Sequence, residues 1–143
     1  MKKFAFTMQK VLDLREFERK QAEADLGRAL AEENAIRQAL EMVAQQHGSA
    51  VSAADRMTDI HELYGVSQYF VFLDQKKELL LQELAQAQLV SEQKREAMRE
   101  AMKKCKVLEQ LRERRLATWK KERLLQEENT TDDIVTSRFR SSI

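Results

Sequence analysis

The sequence predicts an all-α protein, an antiparallel two-helix coiled-coil hairpin with a longer second helix. Three observations carry that prediction. There is no Pro and only three Gly among 143 residues, so the turn residues that a sheet or a loop-rich fold requires are missing. Charged residues make up 34% of the chain beside 43% hydrophobic ones and only 6% aromatic ones, the composition of long helices with narrow seams rather than of a large core. Apolar residues also recur at alternating steps of four and three in two long runs with one interruption between them.

The first helix is expected over about residues 7–47. Thr7 is its expected N-cap, with Phe6 and Val11 placed to form a hydrophobic staple across the entry. Val11, Leu14 and Phe17 form an opening stripe, and the main seam follows through Ala22, Leu26, Ala29, Glu33, Ile36, Leu40, Val43 and His47. The two stripes differ in phase, which predicts a stutter near residues 18–21. Glu33 is a polar defect in the seam. His47-Gly48-Ser49 breaks the pattern and opens a hinge over about 48–66, weakened further by Gly65.

The second helix is expected to start between Thr58 and Ser67, either of which can cap it, and to occupy about 67–128. Its seam runs through Phe70, Leu73, Lys77, Leu80, Leu84, Ala87, Ser91, Lys94, Met98, Ala101, Cys105 and Leu108, and an apolar side continues through Leu111, Leu116 and Trp119. A helix of roughly 60 residues is about 90 Å long, against about 60 Å for one of roughly 40, so the second outlasts the first. Helices this polar need each other's seams to be stable at such lengths. Residues 129–143, rich in Ser, Thr and Asp, read as a flexible tail of this single domain.

Formal net charge is +1, too small to announce a nucleic-acid or membrane partner. Locally the balance differs: residues 94–123 carry twelve basic and five acidic side chains. Such a stripe attracts acidic surfaces, or else is a solvated face laced with pairs such as Glu96–Arg99 and Glu100–Lys104. Nucleic acid fits it poorly, since Trp119 is its one stacking group and acids interrupt it. A second informative segment is Tyr64 to Leu84. There Tyr69, Phe70, Phe72, Leu73, Leu79, Leu80, Leu81 and Leu84 cover more of the helix circumference than one seam can bury, which predicts either an interface or cover by the hinge.

The rest excludes chemistry more than it suggests it. Cys105, the single cysteine, falls in register with Met98, Ala101 and Leu108 and reads as a small core residue in a reducing compartment such as the cytosol. His47 and His61 have no other metal ligand near them in sequence, and no phosphate loop, nucleophile elbow or paired-carboxylate cleft is present. No catalytic, cofactor or metal site is therefore expected, and a two-helix hairpin has no pocket in which to shelter a reaction. No run approaches the roughly 20 apolar residues of a membrane span, and direct membrane insertion is not expected.

The opening Phe4-Ala5-Phe6-Thr7-Met8-Gln9-Lys10-Val11-Leu12-Asp13-Leu14-Arg15, followed by Glu18, resembles the start of FliJ-type proteins, the soluble coiled-coil component of the bacterial flagellar type III export apparatus. Tyr69-Phe70-Val71-Phe72-Leu73, the run Arg95 to Arg114 centred on Val107-Leu108-Glu109-Gln110-Leu111-Arg112, and the pair Asp132-Asp133 extend the resemblance over nearly the whole chain. It implies a hairpin similar to the central-shaft subunit of rotary ATPases. Such a hairpin inserts in the hexameric flagellar export ATPase, promotes its assembly, engages the cytoplasmic part of the membrane export gate and escorts export chaperones. It would sit in the cytoplasm, peripherally at the membrane face of the flagellar base. The resemblance further implies gate-binding residues at Tyr69, Leu73, Lys76 and Leu80, where Lys76 replaces a small apolar residue, and ATPase-binding residues at Arg95, Arg99, Lys103, Lys104, Arg112, Arg114 and Arg115. The stalk of a virulence-type secretion system, or a coiled-coil tether or chaperone unrelated to secretion, are the alternative readings.

Overall fold

A computed structural model describes residues 2–141. Two α-helices account for almost all of it: α1, Gln9–Ala54, of 46 residues, and α2, Ile60–Ser141, of 82 residues. No strand occurs among the described residues. The contacts divide into two compact units: an end unit formed by the residues up to Arg19 with those from Glu100 onward, and a loop unit, Lys20–Arg99.

In the loop unit the helices run antiparallel. Glu33 meets Ser91 and, further along α1, His47 meets Phe70. The expected seams are the buried ones. Ala29, Glu33 and Val43 on α1 and Leu73 and Ser91 on α2 are buried, with Ala22, Leu26, Ile36, Leu40, Leu80, Leu84 and Ala87 half-buried between them. Only His47 and Lys77 of the expected seam positions are exposed, and the His47 imidazole still lies 4.8 Å from the Phe70 ring, centroid to centroid.

The link between the helices is shorter than the expected 48–66. α1 runs through Gly48 to Ala54, and the chain tightens there: the amides of Asp55, Arg56 and Met57 donate to the carbonyls of Val51, Ala53 and Ala54. Asp59 then caps α2, its Oδ1 accepting the His61 amide at 3.0 Å, with Glu62 in the first turn completing the residue pattern of a capping box. Gly48 and Gly65 both sit inside helices with ordinary negative φ. A helical glycine costs only about 1 kcal/mol relative to alanine, which neighbouring turns of good helix formers outweigh.

The end unit is also antiparallel, but its α1 seam is not the expected one. Met8, Leu12, Arg15 and Arg19 are the positions turned inward, and they lead into Ala22 with the four-three spacing unbroken. No stutter occurs at 18–21. The seam passes through two arginines whose aliphatic stems pack while their heads reach polar partners, as Arg15 does with Glu18 at 2.9 Å. Val11, Leu14 and Phe17 consequently face outward, Phe17 at 62% exposure. Thr7 does not act as a side-chain cap here, since its hydroxyl accepts from Arg115 at 3.0 Å, and the first turn is closed by the Gln9 amide on the Phe6 carbonyl. Phe6 does not staple to Val11. It is buried with Leu12, Cys105 and Leu108, and Phe4, Met8 and Leu111 pack on that cluster.

Of residues 129–143, expected as a flexible tail, 129–141 continue α2 as helix, and 142–143 lie outside the described residues. Without Gly or Pro after Gly65 nothing stops propagation. Hydroxyls that would otherwise break the helix are folded back onto it, Thr131 on the Glu127 carbonyl at 2.9 Å and Ser141 on that of Arg138 at 2.9 Å. Every described residue from Lys120 on is exposed.

Candidate functional site

In the loop unit the apolar excess of α2 has two fates. Leu73 is 1% exposed and belongs to the seam, and Leu80 is half-buried beside it. Tyr69 and Phe72 stand outside, their rings stacked at 6.3 Å with an interplanar angle of 23°, and Lys76 is exposed one turn further on. Ile60, Leu63, Tyr64, Val71, Leu79 and Leu81 are exposed as well. The link does not cover them, since all of them are exposed. Of the four residues expected at a gate-binding stripe, then, Tyr69 and Lys76 are presented outward while Leu73 supports them from within.

Grooves flank the seam on either side of this segment. One, of about 450 Å³, lies between Tyr69 and α1 residues Met42, Gln45, Gln46, Ser49 and Ala50. The other, of about 380 Å³, is lined by Leu40, Val43, Ala44 and His47 of α1 and Leu73, Asp74, Lys77 and Leu81 of α2. Two-helix packing leaves such furrows open wherever side chains are short, and Ala44, Ser49 and Ala50 are short.

The seven basic residues expected to meet an ATPase are not equivalent. Arg95 and Arg99 in the loop unit reach acids on their own helix: Arg95 pairs with Glu92 at 3.5 Å, and Arg99 with Glu92 at 3.8 Å and with Glu96. In the end unit Lys103 lies 3.7 Å from Glu100, and Lys104 and Arg114 are exposed. These are exposed surface charges, each pair worth about 0–1 kcal/mol.

Arg112 and Arg115 are different. They hold down the non-helical segment that precedes α1. Arg112 donates from Nε to the Gln9 side chain at 3.1 Å and lies over the Phe4 ring at 5.5 Å. Arg115 donates to Thr7 at 3.0 Å and lies over Phe6 at 5.6 Å. One turn on, the Trp119 indole N–H donates to the Lys2 carbonyl at 3.2 Å, with Phe4 5.9 Å from the indole ring. Residues 2–8 therefore form a strap over α2. Sequence reasoning grouped Arg112 and Arg115 with the open charges; the signal that separates them is the pair of phenylalanines, Phe4 and Phe6, two residues apart and opposite two arginines three residues apart on a helix.

Beneath the strap, Cys105 is buried, and its thiol donates to Glu109 at 3.4 Å. Burial raises its pKa first, the hydrogen bond and charge of Glu109 next, with Arg19 opposing and Glu16 adding to the rise. Donor atoms of Glu16, Cys105 and Glu109 lie within 4.8 Å of one another. With the thiol held protonated and giving its hydrogen to Glu109, the cluster reads as a satisfied polar contact in the seam rather than as a thiolate ligand set.

No helix among the described residues is long and apolar enough to cross a membrane. Comparison with curated proteins and with solved structures finds no match. A family model described as flagellar FliJ protein does match, over residues 4–142. That match takes in the strap from Phe4 onward, both seams and the exposed aromatic pair of α2, and by it the chain belongs to the FliJ family.

Proposed function

We propose that this hairpin is a non-enzymatic stalk of the flagellar type III export apparatus, which inserts in the export ATPase hexamer, promotes its assembly and couples it to the export gate. Membership of the FliJ family supports a role in flagellar export, and the observation that carries the coupling role is the outward aromatic pair Tyr69–Phe72 on a helix whose seam is already filled by Leu73. An unpartnered aromatic pair on a thin hairpin needs a partner to shield it from water. The gate-facing surface in this reading is Tyr69, Phe72 and Lys76, backed by Leu73 and Leu80. The ATPase-facing charges are Arg95, Arg99, Lys103, Lys104 and Arg114, with Arg112 and Arg115 acting through the strap. Export chaperones are further partners, and the site of action is the cytoplasmic face of the membrane at the flagellar base.

Copurification with the cytosolic export ATPase and with the cytoplasmic fragment of the gate tests this. Capture of both, with Tyr69→Ala losing the gate fragment alone, is the expected result. A chain that captures neither would be a coiled-coil tether.

A further inference from the structure

We infer that the outward face of α2 in the loop unit is a second seam, on which two copies of this chain pair antiparallel in one register. The inference goes beyond the export reading and does not rest on it.

Phe72, Gln75, Leu79, Gln82, Gln86 and Leu89 recur at alternating steps of three and four, and Gln68 and Gln93 extend the row by one step at either end. That is the spacing of a coiled-coil seam. The row lies on the side of α2 opposite its seam with α1. There Leu73 and Ser91 are buried, whereas every position of the row is exposed, Phe72 at 55%, Leu79 at 57% and Leu89 at 61%. No charge falls on the row, in a chain of which 34% of the residues are charged. A face that only meets water has no reason to exclude charge over about 39 Å of helix; a face that meets another helix does.

Charges flank the row instead, and they choose the occupant. Lys76, Glu78, Glu83 and Glu92 stand beside it, all exposed. Neither Lys76 nor Glu83 has an ion-pair partner among the described residues, whereas Arg95 and Arg99 are already answered by acids on their own helix.

Let two copies lie antiparallel with Phe72 of each against Leu89 of the other. Gln75 then meets Gln86 and Leu79 meets Gln82, and the glutamine amides both donate and accept across the seam. At the flanks Lys76 of each copy faces Glu83 of the other, so symmetry makes two ion pairs. Glu78 faces Ala85, and Glu92 faces Val71. Sliding by one heptad in one direction sets Lys76 against Lys76 and Glu78 against Glu78. Sliding the other way sets Glu83 against Glu83 and Glu78 against Glu92. A parallel pair sets Glu78 against Glu83 twice. Of these four arrangements only the first is free of like-charge contacts, and such contacts decide register and direction in coiled coils. Most of the row is glutamine, so the pair is transient rather than obligate. It covers Phe72 and Lys76, so pairing excludes any other partner bound through them.

Sedimentation equilibrium of the full chain at low salt reads the pairing directly. The expected result is a rise from monomer to dimer mass between roughly 1 µM and 1 mM, the range of a transient complex. Lys76→Glu alone and Glu83→Lys alone should each weaken it at least roughly tenfold, because each sets like charges together at two sites. An equimolar mixture of the two variants should dimerise as tightly as the wild type, since every flank pair is then opposite in sign again. A wild type that stays monomeric throughout this range overturns the inference, as does a mixture that fails to recover. Tighter pairing by Glu83→Lys alone would also overturn it, because that change relieves the Glu78 contact of a parallel pair.

Discussion

The hydroxyl of Ser91 on α2 donates a 3.0 Å hydrogen bond to Oε2 of Glu33 on α1, and both residues are buried in the seam. The other carboxylate oxygen of Glu33 pairs with Arg37 at 2.9 Å, so a charge that interrupts an apolar stripe is satisfied on both sides. The polar defect in one seam thus faces the one hydroxyl in the other. Any shift of register by a heptad would set Glu33 against an apolar residue and leave its charge buried without a donor. A pair of this kind fixes register at some expense in stability.

Ser91→Ala should therefore destabilise the hairpin by about 1–3 kcal/mol, because the Glu33 carboxylate loses its partner without regaining water. Glu33→Leu combined with Ser91→Ala should recover that loss or exceed it, since two apolar groups replace both polar ones. Chemical denaturation of the two single variants and the double measures the coupling. Additive effects would show that the contact does not hold the register. The double variant should also lose uniqueness of pairing, seen as extra oligomers in sedimentation.

How much of this was legible beforehand depends on what kind of residue marks each feature. The loop-unit seam was open to reading because its positions are mostly Ala, Leu, Ile and Val, and the one buried acid kept the spacing. The end-unit seam was not, because Arg15 and Arg19 carry it: apolar counting scores them as breaks and chooses Val11, Leu14 and Phe17, which face outward. The link is shorter than Gly48 and Gly65 suggest, because neither glycine breaks its helix and α2 starts at the cap at Asp59, visible in Asp59-Ile60-His61-Glu62. The strap could not be read from periodicity at all, since residues 2–8 have none. Of the expected surface residues, Tyr69 and Lys76 are exposed, while Leu73 is core for a reason the pattern itself contained: it lies on the four-three seam.

Cys105 gives a pH prediction. Its ordinary pKa of 9.0 is raised in the folded chain, chiefly by burial and then by Glu109. The folded state therefore holds the thiol proton more tightly than the unfolded one, so this stability is fully present below about pH 9 and is lost as pH rises through the folded value. Melting temperatures of the wild type should fall more steeply above pH 9 than those of Cys105→Ala, which has no thiol to ionise. Parallel curves would place the thiol in contact with water. Labelling of the thiol by a disulfide reagent at pH 8 should likewise be slow and should follow opening of the end unit.

Leu73 and Phe72 are neighbours in sequence with opposite roles. Leu73→Ala empties a fully buried position and should cost about 2–5 kcal/mol, toward the lower end in a seam only two helices thick. Phe72→Ala and Tyr69→Ala remove outward rings and should move stability by less than about 1 kcal/mol. If the pair anchors the export gate, each should still lower affinity for the gate fragment by a factor that corresponds to about 2 kcal/mol or more. Calorimetry beside a capture assay separates the two. A Tyr69→Ala chain that unfolds yet binds the gate would assign that ring to the core.

The two classes of basic residue should separate in the same manner at the ATPase. Arg99 and Lys103 take part in surface pairs, so Arg99→Glu with Lys103→Glu should scarcely change the melting temperature, each pair being worth about 0–1 kcal/mol, while assembly and stimulated hydrolysis of the ATPase fall if acidic groups meet this face. That loss should be greatest at low salt, where screening beyond about 10 Å is weakest. Arg112 is a clamp, and its contacts to Gln9 and Phe4 are partly shielded. Arg112→Gln should cost about 1–3 kcal/mol and loosen the strap, releasing the Trp119 indole from the Lys2 carbonyl and shifting its emission to the red. ATPase binding should weaken in consequence, but with the emission change already present in the isolated chain. Were Arg112→Gln to weaken binding with emission and melting temperature unmoved, Arg112 would face the partner directly, and the strap would be an ornament of the free protein rather than part of its working surface.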